Sequence, residues 1–366
     1  MDDNFSAIYK YLTEICGAVN VKRNALLSRY TTFKVGGPAD ILVCAADARA
    51  LRSVLEATAD AGFPVYIMGR GSNLVFDDAG FRGIVVRLCE PGRRKTSALA
   101  EGSLTEGSLT PAEGSLTPAH GTSTQGSPLQ AGCKNCTGPV ITDENSETAT
   151  VYAYAGVMLS SLSAFACEHG LTGLEFASGI PGTVGGGVLM NAGAYGGELS
   201  QCVIKSTYLE IVRDGSGNAA KVREGALEGD RQQFSYRHSA YQDNGFTVTG
   251  AYFLLKKGRG REEIAADMRE LNRRRREKQP LELPSAGSAF KRPQGDFAGR
   301  LIEASGLKGY TVGGAQVSEK HAGFVVNRGG ATAKDIRDVI DGVRARVFAD
   351  SGVMLEPEIR FVGERG

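Results

Sequence analysis

Apolar and polar positions alternate along the chain in two periods, and these fix most of its elements. Residues 48–61 place Leu51, Val54, Leu55 and Thr58 on one helical face, with Asp47 as a cap before them and Gly62 as a stop behind. Leu159, Leu162, Phe165 and Ala166 repeat that spacing up to Gly170, as do Ile264, Met268 and Leu271 in Glu262–Arg276. The most regular face is Ile336, Val339, Ile340, Val343 and Val347, opened by Thr332 with Asp335 as a capping box and closed by Gly352. Residues 1–20 and Asp296–Ala304 predict shorter helices. Short apolar runs predict strands at Ile41–Ala45, Pro64–Met68, Gly83–Leu88, Thr150–Ala155, Phe246–Lys256 and Ala322–Asn327. Val203–Arg213 and Ala219–Arg223 predict a hairpin around Asp214-Gly215. Tyr30–Val35 reads as extended up to the turn Gly36-Gly37-Pro38. In a last strand, Met354–Val362, Leu355, Ile359 and Phe361 share one face, with Glu356, Glu358 and Arg360 on the other.

One stretch follows neither period. Residues 179–197 read GIPGTVGGGVLMNAGAYGG, and glycine is concentrated there well above its share of 49 in 366. Glycine costs backbone entropy and is used where φ must be positive or the backbone must approach something closely. The interleaved Ile180, Val184, Val188, Leu189 and Met190 argue against a solvated linker. Backbone N–H groups against a phosphate are the expected use, and a second glycine turn, Gly69-Arg70-Gly71-Ser72-Asn73, follows the strand Pro64–Met68. Neither stretch is a GxGxxG opening a helix, so a Rossmann dinucleotide site is excluded.

Residues 90–147 differ in kind. EGSLT recurs at 101–105, 106–110 and 113–117 amid Pro, Ser, Thr and Gly, which predicts an unstructured insertion between two strands. Cys133 and Cys136 within it have CxxC spacing without a second ligand pair, so no metal site is expected. The cysteines Cys16, Cys44, Cys89, Cys133, Cys136, Cys167 and Cys202 form an odd, scattered set, which predicts reduced thiols in a cytoplasm. A net charge of +1 gives no reason to expect nucleic acid or a membrane surface. No apolar run approaches the ~18 residues of a membrane helix, and the acidic, amphipathic start is unlike a signal peptide. The four arginines Arg273–Arg276 are accounted for by a helix C-terminus and a solvated face.

The motifs YTTFKVGGPAD, GRGSNL, SGIPGTVGG with NAGAYG, FSYRHS, SAGSAFKRP, GGAQVSEKHAGFVVN and LEPEIRF occur in this order over residues 20–88 and 148–363. Together they resemble the UDP-N-acetylenolpyruvoylglucosamine reductases, flavoenzymes of peptidoglycan precursor synthesis. About fifty residues separate Arg237 from Ser288, which resembles the shorter form of the family, without the tyrosine-bearing segment. The resemblance implies an α+β chain. Two subdomains of the FAD-binding p-cresol methylhydroxylase/vanillyl-alcohol oxidase (PCMH/VAO) type would grip FAD, beside a smaller C-terminal α+β substrate domain. The expected divisions are 1–88, the insertion 89–147, 148–256, 257–352, and a returning strand in 353–366.

It implies a cytoplasmic reaction in two halves: NADPH reduces FAD, and reduced FAD gives a hydride to the enolpyruvyl carbon of the UDP-sugar. By resemblance Ser288 is the proton donor, Arg237 binds the substrate carboxylate, and Glu358 is the catalytic glutamate; periodicity alone does not choose between Glu356 and Glu358. A glutamate beside an enolate must be protonated or hydrogen-bonded to help, which predicts a raised pKa. FAD contacts are expected from Tyr30, Thr31, Gly36, Gly69, Gly71, Ser72, Asn73, Gly179, Pro181, Gly182 and Gly186. Ser72 stands where covalent flavoproteins of this superfold often have histidine, so the FAD is expected to be noncovalent. Lys278, Lys291, Arg292 and His321 are the expected contacts to the UDP-sugar. No metal is expected, and the chain is expected to be a monomer. The readings to exclude are another flavin oxidoreductase of the same superfold and a noncatalytic FAD-binding module.

Overall fold

The computed structural model describes residues 2–90, 138–213 and 219–363. The first part contains α1 (Asp2–Cys16), β1 (Val21–Leu26), β2 (Pro38–Ala45), α2 (Ala48–Ala61), β3 (Val65–Met68), β4 (Leu74–Phe76) and β5 (Phe81–Leu88). A second part, drawn from residues 138–278, contains β6 (Val140–Glu144), β7 (Thr148–Tyr154), α3 (Leu159–Glu168), α4 (Val184–Leu189), β8 (Gly193–Ala194), β9 (Gly197–Glu198), β10 (Val203–Arg213), β11 (Ala219–Glu228), α5 (Ala240–Asn244), β12 (Thr247–Lys256) and α6 (Arg261–Lys278). The third contains β13 (Ser285–Ser288), α7 (Ala298–Ala304), β14 (Thr311–Val312), β15 (Ala315–Val317), β16 (Phe324–Asn327), α8 (Ala333–Ser351) and β17 (Arg360–Val362).

Three sheets organise these elements. The first has the order β1-β2-β5-β3, with β2, β5 and β3 parallel. The second, β11-β10-β12-β7-β6, is antiparallel throughout. The third, β13-β16-β15-β14, is also antiparallel and packs against α7 and α8. The continuous apolar runs of β2 and β5 follow from burial on both faces. Ile41, Val43, Ile84 and Val86 enter one core with Val151 and Phe253 of the second sheet. Leu42 and Val85 face the other way, toward Phe76 and Val362.

The helices form where their faces and caps predict. Asp47 Oδ1 accepts from the Ala50 amide at 2.8 Å, and Gly62 ends α2 at φ +69°. Thr332 and Asp335 close the capping box of α8, and Asp78 accepts from the Ala333 and Lys334 amides at 2.8 and 3.1 Å. The C-terminal core also receives Phe33 and Val35, so the YTTFKV motif joins the third unit to the first.

Several expectations are corrected. Tyr30–Val35 is a bent segment, and the regular strand before it is β1, which was not anticipated. The expected unstructured stretch 90–147 ends early, because β6 pairs with β7 as the edge of the second sheet; the EGSLT repeats and the Cys133/Cys136 spacing lie outside the described residues. The last strand is regular only at Arg360–Val362: Pro357 has no amide to give a ladder, and only an isolated bridge from Pro357 to Phe290 precedes it. Cys44 and Cys89, expected as thiols, are joined in a disulfide with Cα atoms 5.9 Å apart. They sit at the ends of the neighbouring strands β2 and β5, within the usual disulfide spacing. Cys16, Cys167 and Cys202 are free. Among the described residues no helix is long and apolar enough to cross a membrane.

Candidate active site

The two glycine turns meet. A Cβ on Gly69 would lie 2.2 Å from Thr183 Oγ1, so glycine lets the turn after β3 close on the loop before α4. Gly71 has φ +70°, and a Cβ there would meet the Tyr30 carbonyl oxygen at 2.7 Å. Through these contacts Tyr30, Thr31, Gly69, Gly71, Ser72, Gly182 and Thr183 come together; the Thr32 amide donates to the Gly71 carbonyl at 3.2 Å. Gly36, at φ +124°, abuts Phe76 behind this cradle. Pro181 and Gly186 are exposed on its α4 side, while Gly179 lies against Asn272 and Arg275. Not every glycine of the stretch faces a ligand: Gly185 packs on Ala155 and Gly187 on Leu199 and Leu159, which lets α4 approach β7 and α3.

An anionic group fits beside this cradle. The Arg87 guanidinium lies 5.6 Å from the Tyr30 ring centroid, and its buried Nε has no hydrogen-bond partner. Burial, then the neighbouring Arg70 charge, lowers its pKa. A buried, unsatisfied cationic donor is costly unless something negative completes it. The diphosphate of FAD has the required charge.

Asn73, expected among the cofactor contacts, also has a structural task. Its Nδ2 donates to the Glu358 carbonyl at 3.1 Å, and its own carbonyl accepts from the Arg360 amide at 3.0 Å. The cradle turn thus holds the chain that enters β17, which runs parallel to β4.

That chain carries the second cluster. Glu358 Oε1 accepts from Arg237 Nε at 2.6 Å, and Arg237 also donates to the Gly193 carbonyl at 3.3 Å. Both side chains are largely buried, Arg237 at 20% exposure and Glu358 at 13%. Burial raises the Glu358 pKa, and Arg237 and Lys291 oppose that shift. Glu356 differs: at 68% exposure it pairs with Lys291 at 2.6 Å. Burial therefore separates two glutamates that periodicity left equal.

Ser288 ends β13 with an exposed side chain, just after Gly287 at φ +77°. The Glu358 amide donates at 2.9 Å to the carbonyl of Ala289, the next residue. Ser288, Glu358 and Arg237 are thereby brought to one corner by three chain segments. The Tyr236 ring, 5.0 Å from the Arg237 guanidinium, forms its rim, and the Tyr236 hydroxyl accepts from the Arg292 amide at 3.2 Å.

The four residues expected to bind a UDP-sugar divide into two pairs. Lys291 and Arg292 flank the corner, with the Arg292 guanidinium 4.5 Å from the Phe297 ring centroid. Lys278 ends α6, near enough to His321 for its charge to act there; burial is the main cause lowering the His321 pKa. His321 Nδ1 accepts from the Gly323 amide at 3.0 Å, which leaves Nε2 to carry a proton outward. Lys320 Nζ donates to the Arg276 carbonyl at 2.8 Å and ties this loop to α6. Of the four arginines at that helix end, Arg273 and Arg274 pair with Glu270 on the surface, whereas Arg275 turns in beside Gly179.

Residues 279–362 match the family model described as UDP-N-acetylenolpyruvoylglucosamine reductase, C-terminal domain. Residues 120–220 match the model described as FAD binding domain. A UDP-N-acetylenolpyruvoylglucosamine reductase of Lachnoclostridium phytofermentans is 40% identical over 363 residues, covering 98% of each chain. One from Clostridium novyi is 40% identical over 357 residues, covering 98% of this chain and 97% of the relative. The crystal structure of the reductase from Thermus caldophilus superposes with a TM-score of 0.65 at 31% identity, covering 93% of this chain and 98% of that one.

A parallel-containing sheet and an antiparallel sheet whose loops meet at a glycine cradle, with a third sheet beside them, define a flavoprotein oxidoreductase that binds FAD. The chain belongs to the UDP-N-acetylenolpyruvoylglucosamine reductase family.

Proposed function

We infer that the chain reduces UDP-N-acetylglucosamine enolpyruvate to UDP-N-acetylmuramate in peptidoglycan precursor synthesis, with NADPH as the electron source. The observation that carries this reading beyond family membership is the buried Arg237–Glu358 pair hydrogen-bonded to the chain that presents Ser288. FAD held by the cradle would, once reduced, supply the hydride for the enolpyruvyl methylene carbon. The former double-bond electrons then move onto the neighbouring carbon and its carboxylate. The planar Arg237 guanidinium suits that developing charge, because it binds both carboxylate oxygens and stays charged. The Ser288 hydroxyl gives its proton to the α-carbon, completing the methyl and methine of the lactyl product, and recovers a proton from water. Burial raises the Glu358 pKa, which favours a protonated carboxyl that would donate a hydrogen bond to the same charge.

Tyr30, Thr31, Gly36, Gly69, Gly71, Ser72, Asn73, Gly179, Pro181, Gly182 and Gly186 are the proposed FAD contacts, with no covalent link. Lys278, Lys291, Arg292 and His321 are the proposed contacts to the UDP-sugar. The divisions 1–88, 89–147, 148–256, 257–352 and 353–366 are the proposed units. A cytoplasmic location is proposed because the substrates are soluble nucleotides, and a monomer is the proposed state.

The test is spectroscopic. NADPH added without oxygen bleaches the flavin absorbance of the purified protein, and UDP-N-acetylglucosamine enolpyruvate restores it with formation of UDP-N-acetylmuramate. A bleached flavin that this substrate fails to reoxidise overturns the reading.

A further inference from the structure

Arg237 is held in a conformation that its sequence does not favour. Its φ is +56°, in the left-handed region that L residues other than glycine rarely adopt. Its neighbours Ser235 and His238 close the turn with reciprocal backbone bonds of 3.2 and 3.1 Å. These do not reach the Arg237 carbonyl, which is bound instead by the side chain of Gln242, half-buried in α5.

The Gln242 carboxamide is used at both ends. Nε2 donates to the Arg237 carbonyl at 3.0 Å and to the Leu189 carbonyl at 2.8 Å. Oε1 accepts from the Arg360 guanidinium. One amide thus joins the end of the glycine helix α4, the turn bearing Arg237, and the strand that begins two residues after Glu358. Each of these segments has other anchors. Ser239 Oγ also binds the Leu189 carbonyl, Asn191 Nδ2 binds the Ser235 carbonyl, and the Arg360 amide binds Asn73. Gln242 connects all three with one side chain.

We propose that Gln242 is a positioning residue that fixes the Arg237 guanidinium against Glu358, without itself touching the substrate. This rests on the reading of Arg237 and Glu358 under Proposed function. A side chain that sets only the geometry of the charge-stabilising pair acts on the second half-reaction. The one cradle element it touches, the end of α4 at Leu189, is held by Ser239 Oγ as well, so the flavin cradle is expected to keep its shape. A misplacement of about 1 Å costs on the order of 10²-fold.

The experiment uses the full chain with FAD. Gln242→Met keeps the volume and removes the side-chain hydrogen bonds to Arg237, Leu189, Met190 and Arg360. Gln242→Glu keeps the acceptor for Arg360 and loses the donors to Leu189 and Arg237. Gln242→Met is expected to retain wild-type FAD content and flavin reduction by NADPH. Flavin reoxidation by the enolpyruvyl substrate is expected to slow by about 10- to 100-fold, with Gln242→Glu between the two. The Glu358 carboxyl, followed by carbon-13 NMR against Glu358→Gln, is expected to titrate at higher pH in Gln242→Met, because its guanidinium partner is less fixed. Reoxidation within about twofold of wild type overturns the proposal. So does a parallel fall of FAD content and both half-reactions in both variants, which marks a structural role. Failure of the wild-type protein itself to be reoxidised counts against the assigned reaction instead; the Glu358 titration in the variant then decides whether Gln242 positions the pair.

Discussion

The glycine cradle and the Arg237 corner are adjacent, and they are built in opposite ways. The cradle depends on missing atoms: Thr183 Oγ1 occupies the space of a Gly69 Cβ, and the Tyr30 carbonyl crowds that of Gly71. Its loops close on one another, and beside it the buried Arg87 Nε has no hydrogen-bond partner. The corner depends on side chains that are present and paired. Arg237 and Glu358 are largely buried and bonded to each other, and each is anchored through its own backbone by a carboxamide, Gln242 or Asn73. A backbone cradle tolerates little change of residue and performs no proton chemistry. A side-chain corner can be altered one function at a time.

The sharpest separation of the two comes from Ser288→Ala. Substrate reduction is expected to fall by about 10²- to 10⁴-fold, the usual contribution of a positioned proton donor, while NADPH still bleaches the flavin. Rapid-mixing absorbance measures both rates, and loss of both would merge the corner with the cradle. Next comes Gly71→Ala. The left-handed φ and the Tyr30 contact should cost about 1–3 kcal/mol, read as roughly tenfold or greater weakening of FAD binding with the Arg237–Glu358 corner unchanged.

A third effect is pH-dependent. Burial raises the Glu358 pKa in the folded chain above its unfolded value. As pH rises past the unfolded value, the unfolded state releases its proton first and folding weakens. Wild type should therefore lose stability relative to Glu358→Gln over that interval, with a constant difference above the folded pKa. Removing Arg237, which opposes the shift, should enlarge the loss. Thermal melts of the variants across pH check the sign. The smallest effect is expected at Glu356. Its exposed pair with Lys291 contributes about 0–1 kcal/mol, and Glu356→Gln should leave the Glu358 titration unshifted. A catalytic loss there comparable to that of Glu358→Gln would reverse the assignment of the two glutamates.

Much of the scaffold is legible in the sequence where local chemistry decides it. The caps at Asp47 and Thr332, the stop at Gly62 and the apolar face of α8 all lie within a few residues of what they control. The strand β1 was missed because VKRNAL shows no alternation, and its register is set by β2. β4 has three residues and is a strand only because β17 lies beside it. β6 reads as polar loop because it is an exposed edge. The cradle was visible as composition, although composition could not tell Gly69, which faces Thr183, from Gly185, which faces Ala155. The corner's three principal residues came from motif resemblance. Gln242 carried no signal, because an amide in a five-residue helix has no period and two of its partners, Leu189 and Arg360, lie on distant segments.

The strand bearing Glu358 docks against a loop 285 residues earlier in the chain. Closing so long a separation is entropically slow, and contacts of this kind form late in folding. The turn before α4 can close before β17 arrives, but the turn that leads into β4 is completed by it, so cofactor capture and catalytic competence are both expected to wait for the C-terminus. An arrested C-terminus would then give a species that neither holds flavin firmly nor reduces the enolpyruvyl group.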